Sequence, residues 1–352
     1  MKRNELIKKL SDAFGPSGFE EEVVQVLREE LKDTSYTLSS DQMKNFYATK
    51  EKEGLRIMLD AHTDEVSFII KSILPNGMLS FLTLGSISAN NLGAQRVLIR
   101  NEKGELLPGV IASIPPHFQS EADRKAPPQV ENLLIDLGVS SADQIREMGV
   151  DVGSPGIFDV KAEVFEDRGL AFGKAFDCRI GCVALVETLK ALEGEDKTIL
   201  GSFSVQEEVG VRGATVSARR LKPDVAIVFE GAPADDTFGK DYDMGSKLKH
   251  GPMLRHVDVR MISSPSFMAF AKEVAKEEGI DIQCAVRSGG GTNGAAIHLS
   301  NEGVPTIVMS IPVRYIHTAN CWTALSDLEG AVQLATAIVK RLDQKLLDSW
   351  LV

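Results

Sequence analysis

The sequence contains few of the residues that often dominate a functional site. Its 352 residues include only four cysteines, six histidines and two tryptophans. Four cysteines in a chain of this length do not make a disulfide scaffold, so we expect a reducing compartment and a cytoplasmic location. A metal site in this chain must therefore use few histidines and draw on carboxylates, which are abundant.

The chain also lacks an excess of basic residues over acidic ones. The chain has 39 Lys and Arg residues against 50 Asp and Glu residues, a formal net charge of −11. Nucleic-acid binders normally carry basic patches, and no dense basic cluster occurs, so nucleic acid is not an expected partner. No apolar run reaches the roughly 18–20 residues of a membrane span, and the N-terminus has no secretory apolar region, so no membrane partner is expected.

Helix-like and strand-like segments alternate in two parts of the chain. Residues 4–32 have helical spacing, interrupted near Gly15, and Ser17 with Glu20 predicts a capping box that opens the second helix. The later segments predict helices at 181–192, 266–278 and 325–347, and strands at 198–205, 225–229, 282–286 and 305–311, the last two of buried type. With strand 55–60, this alternation indicates an α/β fold, with a mostly parallel mixed sheet and helices on both faces.

The segment between these two parts has a different texture. From about residue 66 to 162, short β-like runs alternate with turn signals such as Pro75-Asn76-Gly77 and Glu102-Lys103-Gly104. We expect a small β-rich, barrel-like domain inserted into the α/β domain. At roughly 150 residues per domain, the length also suggests about two domains. The predicted boundaries are 1–65 plus 165–352 for the α/β domain and 66–164 for the insert.

Residues that can bind a metal follow the predicted strands. In open α/β sheets, ligands bind beyond the carboxyl ends of the strands. His62 comes directly after strand 55–60, and Asp64 can hydrogen-bond the second nitrogen of its ring. Asp177 precedes a helix, where it can either bridge two cations or act as an N-cap. Each of these signals, taken alone, also has a purely structural interpretation.

Two adjacent carboxylates at the end of strand 198–205 are the most informative signal. Neighbouring residues on a regular strand point to opposite faces, so Glu207 and Glu208 can serve one site only if the chain bends, as Gly210 and Gly213 permit. A metal hydrolase needs such a pair, one carboxylate to hold a cation and one to accept a proton. The alternative is an exposed acidic turn.

Two further candidates complete the set. Glu230 follows the apolar strand 225–229, where burying an unpaired carboxylate is costly, and His317 follows strand 305–311. Cys178 and Cys182 lack a second matching pair, so we expect buried small residues rather than thiolate ligands. Oxygen and imidazole ligands suit Zn, Co or Mn.

Several motifs, in a fixed order, span nearly the whole chain. They are Pro16-Ser17-Gly18-Phe19-Glu20, Ala61-His62-Thr63-Asp64-Glu65-Val66, Gly93-Ala94-Gln95-Arg96-Val97, Pro115-Pro116-His117, Ala175-Phe176-Asp177-Cys178-Arg179, Gln206-Glu207-Glu208-Val209-Gly210 and Pro312-Val313-Arg314-Tyr315-Ile316-His317. In these motifs the chain resembles the tetrahedral (TET) aminopeptidases, a family that includes glutamyl aminopeptidase and whose members are sometimes labelled endoglucanase. The resemblance implies a zinc-exopeptidase-like fold.

The resemblance also implies a mechanism and an assembly. It implies a metal-dependent aminopeptidase that removes N-terminal residues from peptides with two cocatalytic divalent cations per subunit, with Zn favoured over Co or Mn. The implied roles are His62 and Glu230 on one metal, Glu208 and His317 on the other, Asp177 bridging, Glu207 as general base and Asp64 as the partner of His62. The insert is then a dimerisation domain, and the dimers assemble into a tetrahedral dodecamer.

The chain departs from the family pattern at a few positions. Glu230 stands where the family usually has Asp, Cys178 where a second Asp is common, and Asn293 where the Gly-rich loop often has Asp. A deacylase or another amide hydrolase of small acyl-amino acids on the same scaffold is the alternative function, and a non-enzymatic assembly protein is a third hypothesis. A pocket for acidic side chains would need basic residues; the candidates are Arg314, Lys240 and Lys247.

Overall fold

The structure is a computed structural model that describes residues 2–121, 126–240, 242 and 244–351. Its helices are α1 (Arg3–Asp12), α2 (Glu21–Leu31), α3 (Ala142–Glu147), α4 (Phe176–Ala191), α5 (Arg212–Leu221), α6 (Pro265–Glu278), α7 (Gly294–Ile297), α8 (Leu325–Arg341) and α9 (Gln344–Ser349). Its strands are β1 (Thr37–Ser40), β2 (Phe46–Lys50), β3 (Arg56–His62), β4 (Ser67–Ile73), β5 (Leu79–Leu84), β6 (Arg96–Arg100), β7 (Leu106–Ile111), β8 (Leu134–Asp136), β9 (Pro155–Phe158), β10 (Glu163–Phe165), β11 (Leu170–Gly173), β12 (Thr198–Ser204), β13 (Val225–Pro233), β14 (Met253–Val257), β15 (Gln283–Val286), β16 (Thr306–Arg314) and β17 (Cys321–Ala324).

The large sheet is mixed, with parallel strands at its centre. Its order is β1-β2-β12-β3-β13-β16-β17-β11-β10, and β14 pairs with β16 and β15. Strands β12, β3, β13 and β16 run parallel to one another, and the strands beyond them on the main path are antiparallel. All seven residues of β12 are buried, because helices cover both faces of the sheet. The predicted α/β class is confirmed.

Alternate residues of the central strands pack into two different cores. Ile57 and Ile227 join the core formed with α1, α4, α6 and α8. Met58 and Ala226 face the opposite way and join the core formed with α5 and α7. This period of two explains why both faces of the sheet are covered by helices. The carboxyl ends of β12, β3, β13 and β16 lie at one edge because these strands are parallel.

The β-rich insert is a closed barrel. Its strand order is β4-β5-β8-β7-β6-β9, and every pairing is antiparallel. Phe68 lies edge-on to Phe81 and Phe158, with ring centroids 5.4 and 5.0 Å apart, in a core separate from those of the sheet. The barrel-like class predicted for the insert is confirmed, and its strands lie between residues 67 and 158.

Two local predictions were wrong. Helix α2 begins at Glu21 without a side-chain cap, because Ser17 and Glu20 bind partners elsewhere in the chain. Strand β15 is not of buried type: only Ala285 is buried, because the strand lies at an edge of the sheet and, among the described residues, pairs only with β14. None of the helices within the described residues has the length and apolar character needed to cross a membrane.

Candidate metal centre

The carboxyl edge of the parallel sheet gathers the predicted site residues. Ser204, the last residue of β12, pairs with His62, the last residue of β3, and Glu230 lies near the end of β13. Side-chain atoms of six candidates form three overlapping groups in which ligand atoms lie within 4.8 Å of one another: His62, Asp177, Glu207, Glu208, Glu230 and His317. The structure therefore places six residues from five segments in one cluster, with Asp64 directly behind it.

Asp177 lies at the centre of the cluster. Its Oδ1 is 3.0 Å from His62 Nε2, and its Oδ2 is 3.2 Å from His317 Nε2. The residue belongs to the first turn of α4, and Ala175 rather than Asp177 occupies the N-cap position. The two oxygens of a single carboxylate thus face two imidazoles, which is the arrangement expected of a group that bridges two cations.

Glu230 and Glu208 extend the cluster on opposite sides of Asp177. Glu230 Oε1 lies 3.3 Å from His62 Nε2, and Glu208 Oε1 lies 3.6 Å from His317 Nε2. Each imidazole therefore has one glutamate of its own and shares Asp177 with the other. Glu230 keeps its oxygen within reach of His62, although its side chain is one methylene longer than the Asp that the family resemblance implies.

Asp64 contacts both His62 and the adjacent glutamates. Its Oδ1 lies 3.3 Å from His62 Nδ1, the ring nitrogen that faces away from Asp177. The same carboxylate accepts hydrogen bonds from the backbone N–H groups of Glu207 and Glu208, at 2.9 and 3.1 Å. Although burial opposes ionisation, contact with His62 lowers the pKa of Asp64.

A bend in the chain lets both adjacent glutamates reach the site. After β12 ends, Gln206 adopts a left-handed conformation with φ +56°, and Gly210 has φ +118°. Glu207 and Glu208 consequently both line one cavity instead of pointing to opposite faces. The bend begins at Gln206, before the glycines that suggested it in the sequence.

The unsatisfied atoms of the cluster fit a cation. Glu208 Oε1 and Glu230 Oε2 are buried and have no hydrogen-bond partner among the described residues. Burial, reinforced by the charge of Asp177, raises the pKa of Glu230 to about 7. Burial and Asp177 likewise raise the pKa of Glu208 to about 8. Buried carboxylates with free oxygens bind divalent cations well, and with the two imidazoles they form a donor set suited to Zn, Co or Mn.

The pKa values of the two histidines are raised as well, which for an imidazole favours the charged form. Burial opposes protonation of His317, but its hydrogen bond to Asp177 and the charge of Glu208 raise its pKa to about 9. Asp177 responds in the other direction: despite its burial, contact with His317 and His62 lowers its pKa. Without a cation, protons on the imidazoles thus neutralise part of the negative charge.

Cys178, which the sequence did not favour as a ligand, lies beside this cluster. It belongs to one of the groups that could hold a metal, with His62, Asp177 and Glu230. Its thiol is buried, donates to Phe229 O at 3.3 Å, and has a pKa raised well above its ordinary value by burial. Without a bound cation such a thiol stays protonated.

The cluster opens into a cavity of about 470 Å³, and the lining of this cavity is acidic in one part and basic in another. Asp177, the glutamates and His317 form one part of its wall. Three arginines and a run of glycines form another part: Arg255, Arg260, Arg287, Gly289, Gly290 and Gly291. Arg255 and Arg287 have ion-pair partners in Asp258 and Asp235, whereas Arg260 has no ion pair within the described part of the chain.

The sequence analysis missed these arginines. Among its basic candidates, Arg314 forms a two-point hydrogen-bonded ion pair with Asp236 and does not line the described part of the cavity. Lys240 and Lys247 do not line it either. The signal that could have revealed the arginine wall is the Gly-rich loop at 289–291. At Gly291, a Cβ would lie 2.9 Å from Arg260 Cδ, so the loop leaves room for that side chain.

Comparisons with known proteins agree on one family. A family model described as M42 glutamyl aminopeptidase matches residues 44–334. The crystal structure of a TET aminopeptidase from Thaumarchaeota archaeon SCGC AB-539-E09 superposes with a TM-score of 0.95 at 37% identity, covering 99% of this chain and 100% of that one. A Pyrococcus horikoshii TET1 peptidase, described as able to assemble into a tetrahedron or a large octahedral shell, has a TM-score of 0.87 at 31% identity, covering 97% and 100%. Lysyl aminopeptidase of Pyrococcus furiosus is 31% identical over 345 residues, 96% of this chain and 97% of that protein.

The family resemblance inferred from the motifs is thus confirmed over almost the whole chain. Peptidases of this family depend on metal, and the cluster at the sheet edge offers ligands for it. The chain belongs to the M42 glutamyl aminopeptidase family and is a metallo-aminopeptidase, a hydrolase that acts on peptide bonds.

Proposed function

We propose that the chain removes N-terminal residues from peptides with two cocatalytic divalent cations and Glu207 as the general base. The observation that supports this most is the position of Asp177, whose two oxygens lie 3.0 and 3.2 Å from the Nε2 atoms of His62 and His317. In this proposal, His62 and Glu230 hold one cation and Glu208 and His317 hold the other. Zn is the favoured metal, with Co and Mn as alternatives. Bound divalent cations polarise the scissile carbonyl and make water more acidic.

In this proposal Glu207 is the residue that accepts and returns the proton. Its side chain lines the cavity beside the cluster, and its backbone N–H is held by Asp64. Burial, with the charges of Glu230 and Glu208, raises its pKa well above the ordinary value, which makes its carboxylate a stronger base. Glu207 accepts a proton from the water that attacks the carbonyl and returns it to the departing amine.

The arginine wall suggests which peptides are preferred. We propose that Arg260, which has no ion-pair partner among the described residues, binds the side-chain carboxylate of an N-terminal Glu or Asp. Arg255 supports this, because its Nε is buried without a hydrogen-bond partner within the described chain. An arginine that faces a cavity next to a hydrolytic centre offers a charge-assisted hydrogen bond to a substrate carboxylate.

A substrate screen tests the activity. Chromogenic amides of Glu, Leu and Lys are assayed with Zn, Co and Mn in parallel, before and after EDTA, and each active substrate is also tested with its amine acetylated. We expect turnover of the free-amine forms only, highest for Glu, and loss of activity in EDTA. Turnover of the acetylated forms instead would favour the deacylase alternative.

Replacing the base tests the mechanism. Glu207→Gln should lower kcat by about 10²–10⁴-fold, because the amide cannot accept the proton. The matched control is Glu302→Gln, since Glu302 lies exposed in the turn that precedes β16. Full activity in Glu207→Gln would reject Glu207 as the base, even if the substrate screen succeeds.

We propose that the barrel insert, residues 66–164, mediates dimerisation, and that dimers form a tetrahedral dodecamer in the cytoplasm. The similarity to the Pyrococcus horikoshii peptidase supports the assembly, and four free cysteines are consistent with a reducing compartment. Light scattering measures the mass in solution. A monomer at micromolar concentration would reject the assembly.

A further inference from the structure

The turn that carries the two glutamates is held by carboxylates from other segments. Three consecutive backbone N–H groups of the turn donate outward: that of Gln206 to Glu20 Oε1 at 3.1 Å, and those of Glu207 and Glu208 to Asp64. Such a turn cannot use these amides for strand pairing, because Gln206 has a left-handed φ of +56°. The conformation that brings both side chains into the cavity therefore depends on these acceptors.

Glu20 is buried and bound entirely through backbone amides of this region. Its side chain is 2% exposed, and Oε1 also accepts from Gly18 N–H at 2.7 Å. No ion pair of Glu20 is present within the described chain. Burying a carboxylate that has no ion-pair partner costs free energy unless hydrogen bonds satisfy its oxygens. The burial of Glu20 under the turn therefore suggests that it has a role there.

Ser17 supports the same turn through Asp64. Its hydroxyl donates to Asp64 Oδ2 at 2.6 Å, the oxygen that also accepts from Glu208 N–H. The segment is fixed in place by the hydrogen bond from Glu65 N–H to Gly15 O, at 3.0 Å. The motif Pro16-Ser17-Gly18-Phe19-Glu20 thus underlies the Glu207–Glu208 turn instead of capping α2.

We propose that Glu20 and Ser17 are positioning residues, which hold the Glu207–Glu208 turn in the conformation that directs both carboxylates into the site. The proposal rests on the proposed function, because it matters only if these glutamates act on the substrate. Catalysis is sensitive to such placement: a displacement of about 1 Å can cost about 100-fold in rate.

Three substitutions at two adjacent positions separate this role from general stability. Glu20→Ala removes the acceptor, whereas Glu20→Gln keeps an Oε1 that can accept both amide bonds. Glu21→Ala is the matched control, since Glu21 is next in the chain and pairs with Lys44 at the surface. We expect Glu20→Ala to lower kcat by about 10- to 100-fold with KM changed less than about 3-fold, and Glu20→Gln and Glu21→Ala to keep kcat within about 3-fold of the wild type.

Hydrogen–deuterium exchange gives a readout that does not need activity. In Glu20→Ala, exchange of a peptide covering residues 203–210 should speed up by at least about 10-fold, with smaller changes elsewhere, and Glu20→Gln should restore slow exchange. Unchanged exchange in this peptide, or a normal kcat in a folded Glu20→Ala protein, would overturn the proposal. An inactive wild type with the expected exchange pattern would instead reject the proposed function.

Ser17→Ala covers the case in which Glu20→Ala fails to fold. It removes only the hydroxyl beside Asp64, so the chain should fold and the turn should loosen partially. We expect kcat to fall by about 3- to 10-fold and exchange of residues 203–210 to increase, without a change in KM. Wild-type values of both kcat and exchange would overturn the proposal on their own.

Discussion

One buried carboxylate next to the metal centre balances the charge of two buried basic side chains. Lys174 Nζ lies 2.8 and 2.7 Å from the two oxygens of Glu65, and Arg179 Nη2 lies 3.2 Å from Oε1. All three side chains are at most 2% exposed. No other carboxylate lies within ion-pair distance of either cation among the described residues. Glu65→Gln should therefore leave two buried positive charges without a counter-charge.

The structure predicts how much each substitution lowers the free energy of unfolding and which of the two lowers it more. Removing one partner of a buried ion pair costs about 3–5 kcal/mol of unfolding free energy, and Glu65→Gln should lie in this range. Lys174→Met leaves Glu65 and Arg179 as a balanced pair and removes the cation whose pKa burial already lowers. Its cost should be smaller, about 1–3 kcal/mol for the lost charged hydrogen bonds.

Urea unfolding of the metal-free protein measures this order. EDTA and a fixed protein concentration prevent metal binding and self-association from shifting the apparent stability. The control is Lys9→Met, whose ion pair with Glu5 is exposed and should not change the midpoint measurably. A Lys174→Met protein that is as unstable as Glu65→Gln, or less stable, would refute the argument that Glu65 balances both cations.

Three further perturbations test the site. Metal-free protein should lose thermal stability as the pH rises from about 6.5 to about 9, because the pKa of His317 is raised from 6.5 to about 9 and that of Glu208 from 4.5 to about 8. The folded state binds more protons in this window, so a flat melting temperature would contradict the shifts, and added Zn should reduce the dependence. Arg260→Ala should lower kcat/KM for a Glu amide by about 10- to 100-fold while sparing a Leu amide, and an equal loss for both would reject the carboxylate contact. Gly231→Ala would place a Cβ 2.8 Å from Asp177 Cα and should weaken Zn affinity by about 10- to 100-fold, as calorimetry can measure; unchanged affinity would show that the backbone there can move.

The sequence predicted the elements whose signals are local or repeated. The alternation of helical and apolar segments indicated the α/β sheet, because parallel strands buried on both faces read as continuous apolar runs. The acidic and histidine residues at successive strand ends indicated a metal centre, since parallel strands bring those ends to one edge. Ligand order along the chain was sufficient for this prediction, and no long-range contact had to be known.

Contacts between distant segments could not be read in this way. Glu20 and Gln206 are 186 residues apart, so the capping box was the nearest local explanation for Ser17 and Glu20. The arginine wall combines β14, the loop after it and the residue that follows β15. Nothing in the local sequence around Arg260 distinguishes it from a surface residue. The left-handed Gln206 was also hidden, because the sequence offered glycines nearby as the natural place for a bend.

Asn293 shows how the chain limits negative charge behind the site. Its side-chain amide donates to Asp60 Oδ2 at 2.8 Å and to Ser204 Oγ at 2.9 Å. Asp60 is fully buried, and burial raises its pKa. An Asp at position 293, as the family pattern often has, would face Asp60 with a second buried carboxylate, whereas the amide supplies a donor. The departure from the pattern therefore removes a repulsion, and the amide contacts Asp60 and Ser204 instead of the proposed metal ligands.

The balance of charge at the site also bears on how many cations it holds. Five carboxylates converge there with only two imidazoles: Asp64, Asp177, Glu207, Glu208 and Glu230. A single divalent cation would leave three negative charges largely out of water, where unbalanced charge is costly. Two cations leave one negative charge, which a proton on Glu207 can neutralise. The proposed base must be able to release this proton again. Burial raises the pKa values of Glu208 and Glu230 to about 8 and about 7, and repulsion from Asp177, which bound cations would relieve, adds to the shift. This charge balance supports the proposed two-cation site.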